Sequence, residues 1–143
     1  MREIKFRCYN LQEKKMYEQP YARDEWTTEY QPLNAVIESI QKDTEYWSPL
    51  MQFTGLLDKN GKEIYEGDIL RFPYSTLASG WDVERQGNIM QVIFGSGAFW
   101  TKPIDFDDRR FYGLLMTASG MEIVGNIYEN NIDENPNLIT KQP

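Results

Sequence analysis

The stretch Thr54–Leu70, TGLLDKNGKEIYEGDIL, constrains the fold more than any other part of the chain. It reads as the end of a strand, a tight turn, a short strand, a second turn and the start of a new strand. Asn60-Gly61 is the strongest turn signal, and because both residues tolerate positive φ it predicts a type I′ turn. Glu66-Gly67-Asp68 marks the second turn. Ile69-Leu70 then opens an apolar run that reaches Phe72. The residues before this stretch group as one unit and those after it as another.

With 143 residues the chain has room for one ordinary domain or two small ones. A chain of this length buries roughly 70% of its extended surface, so no covalent staple is required. The net charge of −7 argues against a general pull toward nucleic acid or an anionic membrane, although a local basic patch is compatible with that sum. There is one cysteine, Cys8, and no histidine. An internal disulfide is therefore impossible, as suits a reducing compartment. Ser–His and Cys–His catalysis in their usual forms and the common zinc ligand sets are excluded as well. No apolar leader and no bilayer-length apolar run is present, so a cytoplasmic location is expected.

Taken in order, Glu3–Tyr9 alternates, with Ile4, Phe6 and Cys8 expected on a buried face and Glu3, Lys5 and Arg7 on the other. Lys15–Glu18 is a return strand with Met16 facing inward. Cys8 is read as a small packed hydrophobe. Gln19–Gln31 is an irregular loop whose Trp26 and Tyr30 cover the core or, alternatively, an oligomer contact. Leu33, Val36, Ile37 and Ile40 recur at helical spacing and predict a helix over Leu33–Lys42. Leu50–Phe53 is a short strand. After the long connection Pro73–Gln86, strands are predicted at Ile89–Phe94, with Met90, Val92 and Phe94 on one face, and at Ala98–Lys102 across the Gly95-Ser96-Gly97 turn. Further strands follow at Tyr112–Thr117 and Met121–Gly125, with a helical turn at Asn126–Asn130. Gly97, Gly113 and Gly125 read as bends of a tight sheet. The pattern gives a mainly β chain: an α+β N-terminal unit over 1–53, a small barrel or sandwich over 54–130, and a loose tail over 131–143.

Three blocks carry a resemblance to the YopX family of bacteriophage and prophage proteins: MREIKFR with the following KKM, the central LMQFTGLLDKNGKEIYEGDIL, and the late MEIVGNIYEN. The resemblance implies an SH3-like β barrel in the C-terminal part and a phage or prophage origin in a bacterial host. It implies no activity and no catalytic residues.

Candidate chemistry is sparse. Asp58-Lys59-Asn60-Gly61 has the look of a calcium-loop fragment, but Leu56 and Gly67 stand where an EF-hand needs acidic ligands, so a turn is the better reading. Asp105-Phe106-Asp107-Asp108 is the densest acidic run, and Arg109 and Arg110 follow it directly. A solvated loop is preferred there over a Mg²⁺ or Ca²⁺ site. Glu63, Glu66 and Asp68 straddle the second turn, and Asp68 is better explained by backbone bonding than by acid–base work. Trp81, Trp100, Phe106, Arg109 and Arg110 are the candidate partner-binding residues, because SH3-like barrels present aromatics to peptides or, beside basic residues, to nucleic acid. The competing reading is that several of the aromatics fill the core. The expected role is a non-enzymatic binding or assembly module with no cofactor, its partner a second copy or a host or phage protein. The alternatives are a nucleic-acid-associated accessory protein and a carboxylate-based metal protein or enzyme.

Overall fold

The computed structural model describes residues 3–18, 33–72, 89–104, 109–118 and 120–130. Its chain is mainly β, built on two antiparallel sheets, one of them curled into a half-barrel. Two compact units divide it, Met1–Phe53 and Thr54–Pro143. Trp26, Tyr30 and the connection Pro73–Gln86 lie outside the described residues, as do the acidic run and the C-terminal tail.

In the first unit, β1 (Phe6–Asn10) pairs antiparallel with β2 (Lys15–Glu18) in the register Cys8↔Tyr17. On its other side it pairs with the start of β3 (Met51–Leu57), with Phe6 opposite Gln52. Helix α1 (Leu33–Lys42) has the bounds that the helical spacing predicts. Its Ile40 is buried with Cys8, and Tyr17, Trp47 and Leu50 pack around the two. Tyr17 meets Trp47 edge-on at 5.4 Å, a favourable aromatic geometry. Beyond α1 the chain returns along β1: Tyr9 N–H donates to Ser48 Oγ at 2.9 Å, and Ser48 N–H to the Tyr9 carbonyl at 2.9 Å. Burial pushes the Cys8 thiol up to about 11, so it packs as a neutral small side chain.

Two expectations for this unit are corrected. Ile4 is 66% exposed and Arg7 is buried, against the predicted faces, whereas Cys8 is buried as expected. From Arg7 to Asn10 every residue of β1 is buried, so both faces are covered and the contrast that alternation relies on is lost. Tyr17, rather than Met16, is the β2 residue packed on the Cys8–Ile40 cluster, because it stands directly across from Cys8.

In the second unit the rest of β3 runs beside β4 (Glu63–Tyr65). The five-stranded sheet has the order β8-β7-β6-β5-β9, with β5 (Asp68–Arg71), β6 (Ile89–Gly95), β7 (Ala98–Pro103), β8 (Gly113–Leu114) and β9 (Glu122–Asn126). Successive residues of a strand point to opposite faces. Leu70 and Val92 accordingly join Ile64 and Ala118 in one core, while Ile69 and Ile89 form another with Ile104, Val124 and Ile127. Both faces near β5 are thus apolar and covered.

The two turns of the central stretch are present, but the first is not of the predicted type. Gly61 has φ 81° and Asn60 is not in the positive region. Gly61 N–H donates to the Asp58 carbonyl and Asp58 N–H to the Lys62 carbonyl, giving a longer loop that needs only one left-handed residue. Positive φ at both central residues occurs instead at Ser96 (48°) and Gly97 (75°), between the paired Gly95 and Ala98. At the second turn Gly67 takes φ 82°, and Asp68 Oδ2 accepts from Tyr65 N–H at 2.8 Å.

Three further differences concern the sheet. Phe94 is 51% exposed, because the face it shares with Val92 has run past the core by the end of the β6–β7 hairpin. The strand predicted over Tyr112–Thr117 is limited to Gly113–Leu114. The last strand is Glu122–Asn126, and a register shift in its pairing with β5 leaves Val124 unmatched beside Gly125, a bulge that suits a bend there. Asn126 Oδ1 accepts from the N–H groups of Tyr128 and Glu129 and so caps the turn that follows.

Candidate functional site

The β6–β7 hairpin sets the geometry of the candidate face. Its two-residue turn fixes the register, so Phe94 stands opposite Phe99 and Ile93 opposite Trp100. Phe94 and Phe99 meet edge-on, centroids 5.1 Å apart, on the face that carries the Val92 core. Trp100 faces the other way. Its indole Nε1–H donates to the Gly95 carbonyl at 2.8 Å, which holds the ring along the hairpin and leaves it half-buried. Leu114 of β8 stands directly across from Trp100. Ile93, Trp100 and Leu114 therefore form a row across three strands, with Leu114 50% exposed.

The edge of that row has a defined backbone polarity. Leu115 N–H donates to the Phe99 carbonyl at 3.0 Å. With Trp100 opposite Leu114, the Trp100–Leu114 pair is a non-hydrogen-bonded one. The N–H and C=O of Leu114 consequently point off the sheet, away from β7. Among the described residues β8 is the last strand on this side of the sheet. Met116, two residues on, is 75% exposed.

Three basic side chains lie near this row among the described residues. Lys102 lies on the same face of β7 as Trp100, two residues along. Arg109 and Arg110 are exposed on the 3₁₀ turn Arg109–Phe111, which lies beside β7 and is closed by Tyr112 N–H donating to the Arg109 carbonyl. The described residues 89–104 and 109–118 contain no carboxylate side chain. Asp105, Asp107 and Asp108, which directly precede Arg109 in the sequence, lie outside the described residues.

Of the sequence candidates, the structure brings Trp100, Arg109 and Arg110 into this one region, whereas Trp81 and Phe106 lie outside the described residues. Ile93, Leu114 and Met116 were not singled out from the sequence. Only the strand order of the described residues puts Leu114 at an edge. The carboxylates of the central stretch are engaged elsewhere. Asp58 Oδ1 accepts from the N–H groups of Asn60 and Lys62 at 2.8 and 2.9 Å, and Oδ2 from that of Ile123 at 3.1 Å. Glu63 Oε2 accepts from the Tyr65 hydroxyl at 3.1 Å. Among the described residues no group of three or more Cys, Asp or Glu side chains is arranged to hold a metal ion. Among them, too, no helix is long and apolar enough to cross a membrane.

Comparison with known proteins gives two results. The chain matches the YopX protein family over residues 5–140. It is also similar to protein EF1440 from Enterococcus faecalis, known from a crystal structure, with 26% identity, a TM-score of 0.53, and coverage of 97% of this chain and 99% of that one. No curated protein matches.

Proposed function

The chain belongs to the YopX family, and from that premise we propose that it is a non-enzymatic binding or assembly module of phage or prophage origin, acting in the cytoplasm of a bacterial host. Residues 54–130 form its SH3-like barrel and residues 1–53 an α+β unit beside it in sequence. The tight antiparallel hairpins of the curled sheet support the barrel assignment. The observation that carries the functional proposal is the apolar row Ile93–Trp100–Leu114, flanked by Lys102, Arg109 and Arg110 in an otherwise acidic chain. Apolar side chains at the surface with a polar rim mark protein-binding surfaces. The partner is a host or phage protein.

The test is a pull-down from lysogenic host extract with the wild-type chain and with Trp100→Ala. A protein retained by the first and lost with the second is expected. The same retained set with both chains removes this face from the proposal. A gel shift with single- and double-stranded nucleic acid at low salt separates the nucleic-acid alternative: a retarded band that disappears with Arg109→Glu would replace the protein partner with a polyanion.

A further inference from the structure

We propose that Asn60 is a site of spontaneous covalent modification, in which its side-chain amide is displaced by the Gly61 nitrogen, and that the Asp58 loop both delays this reaction and is undone by it. Asn60-Gly61 is the single Asn-Gly pair of the chain. Asparagine is a thermolabile residue, and a following glycine offers its main-chain nitrogen with no Cβ in the way. Both residues are exposed, so water reaches them.

The step is intramolecular. The Gly61 nitrogen attacks Asn60 Cγ. The N–Cγ bond forms, the Cγ–Nδ2 bond breaks, and the Gly61 amide proton leaves with Nδ2 as ammonia. Water then opens the cyclic imide. Addition at Cγ gives an aspartyl residue. Addition at the main-chain carbonyl of residue 60 gives an isoaspartyl residue, whose chain runs through Cγ.

Asp58 holds the consecutive N–H groups around this bond. Its Oδ1 accepts from Asn60 N–H at 2.8 Å and from Lys62 N–H at 2.9 Å, and its carbonyl from Gly61 N–H at 3.0 Å. The attacking nitrogen is thus engaged as a donor, and its swing toward Cγ requires the loop to open first. A reaction confined to an opened segment proceeds in proportion to the open population. The isoaspartyl product does not fit the same loop. It puts an extra carbon into the main chain between the N–H groups that share Oδ1, and a new carboxylate beside that of Asp58, like charge against like charge. Asp58 Oδ2 also accepts from Ile123 N–H, so the change reaches β9.

Mass spectrometry of the full-length chain, incubated in mildly alkaline buffer and mapped by peptide, provides the test, with isoaspartate detected by enzymatic carboxyl methylation. The folded chain should gain the mass of deamidation at Asn60 at least about ten-fold more slowly than the chain unfolded in urea. Asn60→Gln should remove the gain at this position in both states. Asp58→Asn leaves one side-chain oxygen for donors that now use two, and should speed the reaction at Asn60 by about ten-fold in the folded protein. Urea below the unfolding transition makes the same comparison without a variant: mass gain at Asn60 should rise in step with amide exchange at Gly61. The isoaspartyl form, isolated by ion exchange, should melt below the fresh protein.

A folded-state rate equal to the unfolded one overturns the proposal. So does an unchanged rate in a folded Asp58→Asn, or an isoaspartyl form that melts with the fresh protein. If Asp58→Asn does not fold, the urea series decides, and mass gain that fails to follow Gly61 exchange overturns the proposal.

Discussion

The two edges of the five-stranded sheet are finished in opposite ways. At β9 the edge is covered from within the same unit. Lys59 N–H donates to the Met121 carbonyl at 2.8 Å, and Asp58 Oδ2 accepts from Ile123 N–H, so the loop between β3 and β4 stands in for a further strand. Lys59 Nζ and Arg71 Nη1 reach Glu122 at 3.3 and 3.9 Å across the same seam. At β8 the strand stops after two residues, and Leu114 turns its backbone groups outward beside exposed apolar side chains. An unpaired edge invites pairing with another chain, and proteins ordinarily block it. One edge here is blocked by a carboxylate. At the other, the backbone groups of Leu114 are directed away from β7.

The contrast predicts that substitutions at the β9 seam cost stability and those at β8 cost little. The largest effect belongs to Asp58→Ala. It removes the acceptor of three main-chain N–H groups at once, two holding the loop and one holding β9. A charged acceptor contributes more than a neutral one, and donors left without partners in a buried place add their desolvation cost, so a loss of about 3–5 kcal/mol is expected in urea denaturation. A loss below about 1 kcal/mol would mean that the loop does not seal the sheet.

Acid should expose the same seam through its titration. Burial alone would raise the Asp58 carboxyl, but the N–H groups of Ile123, Lys62 and Asn60, with the Lys62 charge, outweigh it and hold the carboxyl below its ordinary value of 3.8. A group depressed in the folded state contributes stability that is complete above its unfolded value and disappears as pH falls through the folded one. The difference in unfolding free energy between wild type and Asp58→Asn should therefore be constant at neutral pH and shrink below about pH 4. A difference that stays flat into that range would remove the titration of Asp58 from the account.

How much of this was legible in the sequence follows the range of the interactions. Helix α1, strand β2 and both turns of the central stretch rest on local spacing and turn chemistry, and their positions could be read directly. The type of the first turn could not. Asn60-Gly61 permits a type I′ turn, but Asp58 bonds Asn60 and Lys62 locally and Ile123 across the fold, and this selects a loop in which Gly61 alone is left-handed. The same holds for β8. Leu114-Leu115-Met116 has the composition of a longer strand, yet its pairing with β7 is limited to Gly113 and Leu114 although β7 extends to Ala98. Trp100, Arg109 and Arg110 could be chosen because aromatic and basic residues cluster in the sequence. Leu114 and Met116 could not, because exposure at a sheet edge is a property of strand order.

Gly61→Ala should have an intermediate effect that isolates the loop conformation from its contacts. A Cβ built at Gly61 meets nothing within 4 Å, so no clash arises, and φ 81° is the sole source of strain. A side chain in the left-handed region costs about 1 kcal/mol, and that loss is expected with the Asp58 hydrogen bonds intact. A cost near that of Asp58→Ala would show that the left-handed residue and the carboxylate act as one unit.

The smallest effect is expected at the other edge. Leu114→Thr introduces a β-branched, strand-compatible side chain, removes part of an apolar group that is already half exposed, and leaves the pairing of β8 with β7 untouched. Its cost should stay within about 0.5 kcal/mol, the range of ordinary surface substitutions. A stability loss above about 2 kcal/mol, the size of a buried leucine truncation, would show that Leu114 is packed in the native protein and that this edge is closed like its counterpart at β9.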